Sequence, residues 1–317
     1  MLAAPELVVA KPVELSHEFE ITMDLQRRVL ADRVVRGQER AELDPRSNRH
    51  RTNAKRHHPP GSDRASATAT TVGSMDGLTD RERYRFDLDG FVIRRGVLST
   101  RELTELNRAV DALKVPTPGE SIGSQRFNGH LARAEVLRNL LDHDSALGIV
   151  SDLCGPMVRL DHAYGLVMSP GTRGLGLHGG GTPHDPSQFY EVRGGRMYNG
   201  LVAVQWALVD QLAPHGGLCC VPGSHRAAFP LPPDASDMAR HIELSAGDLM
   251  VFTEALTHGT TTWHGPHQRR SLFYKYAPGH MAWGNDYQRF ADLTRRLTER
   301  QRRLIQPPSI YPHDSVT

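Results

Sequence analysis

The stretch LHGGGTPHDP, residues 177 to 186, gathers His178, His184 and Asp185 around Gly179, Gly180 and Gly181. Imidazole and carboxylate groups are metal ligands, and consecutive glycines let the backbone wrap tightly around an ion. A second stretch, GDLMVFTEALTHGTTTWHGPHQRRSLFYKY, carries His258, Thr260 and the adjacent Arg269 and Arg270. Neutral imidazoles suit a divalent transition metal such as Fe(II), and a guanidinium fork suits a carboxylate through paired charge-assisted hydrogen bonds. Adjacent strand residues point to opposite faces, so only one of Arg269 and Arg270 can share a face with a given site. A third stretch, PSQFYEVRGGRMYNG, mixes Tyr190, Arg193, Arg196 and Tyr198. Such a set suits an anionic, ring-bearing small molecule such as a nucleotide or another phosphorylated metabolite, and equally suits a solvated loop. His225 in PGSH reads as a turn residue, and Cys219, Cys220 and Trp206 read as packing.

Elements able to position these residues begin near Met75. Thr79 with Glu82 and Ser99 with Glu102 form capping-box patterns on either side of GFVIRRGVL, which predicts a helix, a strand and a longer helix. Helical patterning continues to about residue 153. Short apolar runs then alternate with turn residues: MVRLDHAYGLVM, GLVAVQWALVD, GGLCCVPGSH, GDLMVF and RRSLFYKYAPG. That texture predicts a sandwich or barrel, so the fold is mainly β with flanking helices. A last helix is predicted from Asn285 to about Arg303. Residues 1–75 contain one amphipathic stretch and a polar, basic, Ser/Thr/Ala-rich run, and are expected to be a partly helical, largely flexible extension to a domain spanning 76–317.

Composition narrows the function classes. The 317 residues include 38% apolar ones, enough for a sizeable core, and a net charge of +2 provides no field to attract a nucleic acid polymer or a membrane surface. No apolar run approaches the roughly 20 residues that span a bilayer. Glu6 interrupts the only apolar stretch of the N-terminus, against a signal peptide, and the expected location is the cytoplasm. Cys154, Cys219 and Cys220 form neither a disulfide framework nor a zinc pattern.

The order ERYRFDLDGFVIRRGVLS, MSPGTRGLGLHGG, VQWALVD, GGLCCVPGSH and GDLMVFTEALTHG through Arg269 resembles the phytanoyl-CoA dioxygenase family, from about residue 78 to 282. The resemblance implies a double-stranded β-helix, a cupin-like jelly-roll, and an oxidoreductase dependent on Fe(II) and 2-oxoglutarate. It implies that His178 and His258 are iron ligands, that Arg269 clamps the far carboxylate of 2-oxoglutarate, and that Thr260 holds the hydroxyl position beside it.

This chain departs from the family at one point. The usual pattern is His-x-Asp or His-x-Glu, and here the residue two after His178 is Gly180. The motif then resembles the His-x-Gly of 2-oxoglutarate-dependent halogenases, in which chloride takes the position and charge of the lost carboxylate and chlorine is transferred to an unactivated carbon. Alternatively, Asp185 folds back across the glycines as the third ligand of a hydroxylase, or it is a plain turn residue before Pro186. A jelly-roll binding protein without catalysis is a third class. Retention of His178, His258, Thr260 and Arg269 speaks for the enzyme.

Overall fold

Both capping boxes form. In the computed structural model the Thr79 side chain accepts from the Glu82 amide at the start of α1 (Asp80–Asp89), and Ser99 does the same for Glu102 at α2 (Thr100–Ala112). Between them β1 (Phe91–Arg94) leaves Gly90, whose φ of 82° ends α1 in the left-handed conformation that glycine adopts without strain. β2 (Gln125–Phe127), α3 (Glu135–Asn139) and α4 (Asp144–Cys154) precede the long β3 (Arg159–Met168). Then follow β4 (Tyr190–Arg193), β5 (Arg196–Asn199), β6 (Val202–Ala207), β7 (Gly217–Cys220), β8 (Arg240–His241), β9 (Leu249–Thr253), β10 (His258–Thr261), β11 (Arg269–Ala277) and α5 (Glu299–Leu304). The structure describes residues 76–115, 123–180, 185–284, 293–310 and 316. They belong to one compact unit, and the expected extension over residues 1–75 lies outside the described residues.

The strands form a six-stranded antiparallel sheet, in the order β1-β9-β6-β11-β3-β2, and a three-stranded one, β10-β7-β8. β4 and β5 make a separate hairpin. This is the double-stranded β-helix of the jelly-roll enzymes. Two cores result from side-chain alternation. Leu272, Tyr274 and Tyr276 of β11 join Leu106, Leu137 and Leu147 in a layer between the large sheet and the helices. Phe273, Tyr164, Phe252 and Ala203 meet Leu218 and Cys220 in a layer between the sheets. Arg269, Ser271 and Lys275 share the inward face of β11 with Phe273. Trp206 and both thiols of β7 are buried, as packing predicts. Burial pushes the Cys219 and Cys220 thiols up to about 11 and about 12, which keeps them protonated.

The Tyr274 hydroxyl donates to the Leu137 carbonyl at 2.6 Å, and that of Tyr276 to Leu141 at 2.7 Å, tying the sheet to its helical cover. Tyr274→Phe strands a buried carbonyl, and the expected loss is about 1–2 kcal/mol, read as a lower denaturant midpoint at unchanged slope.

The helix predicted from Asn285 to about Arg303 is interrupted within the described residues. Residues 285–292 lie outside the description, the chain makes a 3-10 turn over 293–296, and α5 starts only after Thr298, which caps it with Gln301 as its box partner. A second capping box inside the predicted span explains the interruption, because a residue at the cap position does not take helical backbone angles. No helix among the described residues is long and apolar enough to cross a membrane.

Candidate active site

His178 and His258 face each other across a two-hydrogen-bond bridge. The amide of each donates to the carbonyl of the other at 2.8 Å, which brings the ring centroids to 4.4 Å. Each Nδ1 sits by a carbonyl two residues upstream, His178 by Gly176 at 2.9 Å and His258 by Leu256 at 2.7 Å. A carbonyl accepts only from Nδ1–H, so both rings are set in the tautomer that leaves the Nε2 lone pair for a metal. Burial lowers both imidazoles, His258 to about 4, so at neutral pH neither carries a proton that a cation would have to displace. Thr260, next on the same face of β10, accepts from the Leu175 amide at 2.7 Å and fastens the segment leading to His178.

At Gly180 the local geometry differs from a strand. Gly179 and Gly180 have φ of 78° and 79°, so the chain turns left-handed directly after His178. A Cβ at 180 would lie 2.7 Å from Thr257 Oγ1. The alternation that would put a residue at 180 on the histidine's face is therefore broken by the turn. Residues 181–184 lie outside the described residues. Asp185 Oδ1 accepts from the Ser187 amide at 2.8 Å and from its hydroxyl at 2.6 Å, a local turn closure. Among the described residues no three His, Cys, Asp or Glu side chains are grouped as a ready metal cage.

Arg269 enters from the inward face of β11 and is fully buried. Its Nε donates to Gln211 Oε1 at 2.8 Å, Nη1 reaches only the Met168 sulfur at 3.5 Å, and Nη2 has no partner. Burial lowers its pKa to about 10, which still leaves it charged at neutral pH. Gly217, at φ 88°, lies beneath it, since a Cβ there would sit 3.1 Å from Nε. Arg270 points outward, where Nη2 pairs with Asp111 at 2.7 Å and Nη1 donates to Asn107 at 3.2 Å.

The hairpin residues make other contacts. Tyr190 donates to Asp87 and stands edge-on to His225, with ring centroids 4.7 Å apart. Arg193 pairs with Glu191 at 2.8 Å, and Arg193 and Arg196 each lie 5.8 Å from the Tyr198 ring. These contacts run within the hairpin, to α1 and to His225, and none of them involves His178 or His258. A cavity of about 330 Å³ does adjoin Gly179 and Gly180, with Val221, Leu231, Phe229 and Met238 in its wall.

Inside the barrel the structure adds a polar set that the motifs do not contain. Glu254, just beyond β9, pairs with Lys275 of β11 at 2.7 Å, and both are buried. Burial opposes the charge on Glu254, but the Lys275 ammonium and the two nearby histidines hold its carboxyl down at about 2. Arg126 lies 3.8 Å over the Tyr164 ring, on the same face. The available signal was a lysine inside the apolar run SLFYKYA and a glutamate in TEALTH.

Solved structures with this fold include HygX from Streptomyces hygroscopicus, 25% identical, with a TM-score of 0.58 over 65% of this chain and 89% of that one, in a form holding nickel and 2-oxoglutarate. The same enzyme has been solved with iron bound. The carbocyclase SnoK from nogalamycin biosynthesis, 18% identical, has a TM-score of 0.53 over 72% of this chain and 94% of that one, and shares the fold. No curated protein sequence matches the chain. The model of the phytanoyl-CoA dioxygenase family matches residues 86–271, from the buried Phe86 of α1 through the two histidines to the start of β11, and the chain belongs to that family of iron- and 2-oxoglutarate-dependent oxygenases.

Proposed function

We propose that this chain oxidises a C–H bond of a small metabolite with iron, dioxygen and 2-oxoglutarate, His178 and His258 giving their Nε2 atoms to the metal. Two imidazoles with Nδ1 already satisfied suit Fe(II). The observation that carries the reading is Arg269, a buried cation whose Nη2 has no partner. An unpaired buried charge is costly, and a carboxylate arriving there supplies both the counter-ion and the missing acceptors. Bound iron and 2-oxoglutarate supply the oxidising power, while the protein holds substrate, orients ligands and excludes water. In this reading Thr260 steadies the first histidine's approach through Leu175. The family membership and the retained Arg269 argue against a purely binding role.

Gly180 favours a second reading, chlorination, with chloride in place of a carboxylate. Product mass at high and low chloride separates the two. Oxygen incorporation indifferent to chloride is expected, and a chlorinated product from wild-type protein would overturn that order. Asp185→Ala is expected to keep metal binding, because its Oδ1 already closes a turn on Ser187.

For the substrate, HygX has been solved with hygromycin B, and the epimerase SnoN, a structure of the same fold that is 20% identical, with a nogalamycin compound. A small natural-product-like molecule fits that pattern. The apolar cavity beside Gly179 and Gly180 supports a substrate with an apolar face there. The nucleotide expectation rested on the hairpin, and Glu191 neutralises Arg193.

A further inference from the structure

The ion pair inside the barrel is not required for packing. Glu254 is 5% exposed and Lys275 7%, and a buried pair of this kind is commonly replaced by apolar residues at no loss of stability. Lys275 Nζ lies 2.7 Å from Glu254 Oε1, a charge-assisted contact that occupies one side of the carboxylate. Its position is informative. Glu254 continues the inward alternation of Met250 and Phe252, and the segment from 254 to His258 wraps the glycine turn that follows His178. A Cβ on Gly179 would lie 3.0 Å from the Glu254 carbonyl, 2.9 Å from that of Leu256 and 3.2 Å from His258 Nδ1.

We infer that Glu254 supplies the anionic oxygen ligand that position 180 lacks, completing a set of two histidines and one carboxylate with His178 and His258. The inference rests on the proposal that these histidines hold iron. Lys275 holds the carboxylate in the present placement, so binding includes a side-chain rotation in which the metal replaces the ammonium as the counter-charge. Neither rival position matches this one: residue 180 has no side chain, a Cβ there would meet Thr257 Oγ1, and Asp185 is turned onto Ser187. A carboxylate from Glu254 also fills the position that chloride would need, which ties this ligand to oxygenation.

The full-length protein titrated with Co(II) under anaerobic conditions tests the assignment without turnover, by calorimetry and by the visible absorption of the bound ion. Glu254→Gln keeps the shape and removes the charge. It is expected to weaken Co(II) binding by at least about tenfold and to alter the absorption band, while Asp185→Ala changes neither. Wild-type affinity and band shape in Glu254→Gln, with binding lost in His178→Ala, would overturn the Glu254 assignment alone. Binding retained in His178→Ala as well would overturn the two-histidine reading beneath it. Should Glu254→Gln fail to fold, a crystal structure of the wild-type protein with Co(II) decides. A Glu254 oxygen at about 2.0–2.2 Å from the ion supports the assignment, and a carboxylate still on Lys275 with water in that position overturns it.

Discussion

His258→Ala abolishes 2-oxoglutarate turnover, with succinate formation falling by at least about a thousandfold, or ~4 kcal/mol of lost transition-state stabilisation. The expectation follows from how little else the ring does. Its Nδ1 is spent on Leu256, its ring meets Phe252 edge-to-face with centroids 4.9 Å apart, and its backbone bridge to His178 does not involve the side chain. The substitution therefore removes a metal donor and leaves the pairing of β10 with β7 in place. Thermal unfolding serves as the control, since a cavity of imidazole size beside Phe252 lowers stability modestly. A folded variant that forms succinate at the wild-type rate would show that the metal, and the reaction with it, lies elsewhere in the barrel.

The parts of this architecture legible in the sequence are those governed by local rules. Thr79 with Glu82 and Ser99 with Glu102 announce α1 and α2 because a cap is satisfied within three residues. The apolar runs announce β3, β6, β7, β9 and β11 because alternation is a property of each strand by itself. The same rule failed where it was carried past the end of a strand. His178 is joined to its neighbour by a single bridge, Gly179 turns left-handed, and residue 180 no longer obeys the period of two. For the hairpin, the residue types of Tyr190, Arg193, Arg196 and Tyr198 suggest a ligand, and the structure adds Asp87 beside Tyr190 and Glu191 beside Arg193, partners that residue types alone do not specify. Glu254 and Lys275 were illegible for a different reason. A lysine in SLFYKYA and a glutamate in TEALTH stand out by type, but their significance lies in a long-range pairing between β11 and the end of β9, which neither segment specifies alone.

Arg269 separates stability from function most sharply. In Arg269→Met the shape of the stem is retained and an uncompensated buried cation is removed, so the folded protein is expected to become as stable as the wild type or more so, judged by denaturant midpoint. The affinity for 2-oxoglutarate is expected to fall by about 2–5 kcal/mol, the usual loss when one member of a hydrogen-bonded charge pair is taken away. Added 2-oxoglutarate raises the melting temperature of the metal-loaded wild type by mass action, and that shift should vanish in the variant. Opposite movement of the two readouts excludes general damage as the cause. Arg270→Ala provides the mirror experiment, because its contacts to Asp111 and Asn107 belong to the outer face and the α2 layer. It should lower stability slightly and leave the ligand-induced shift intact. If the shift instead survives in Arg269→Met and disappears in Arg270→Ala, β11 presents its other face to the site, and the inward register that places Arg269, Ser271, Phe273 and Lys275 together is wrong by one residue.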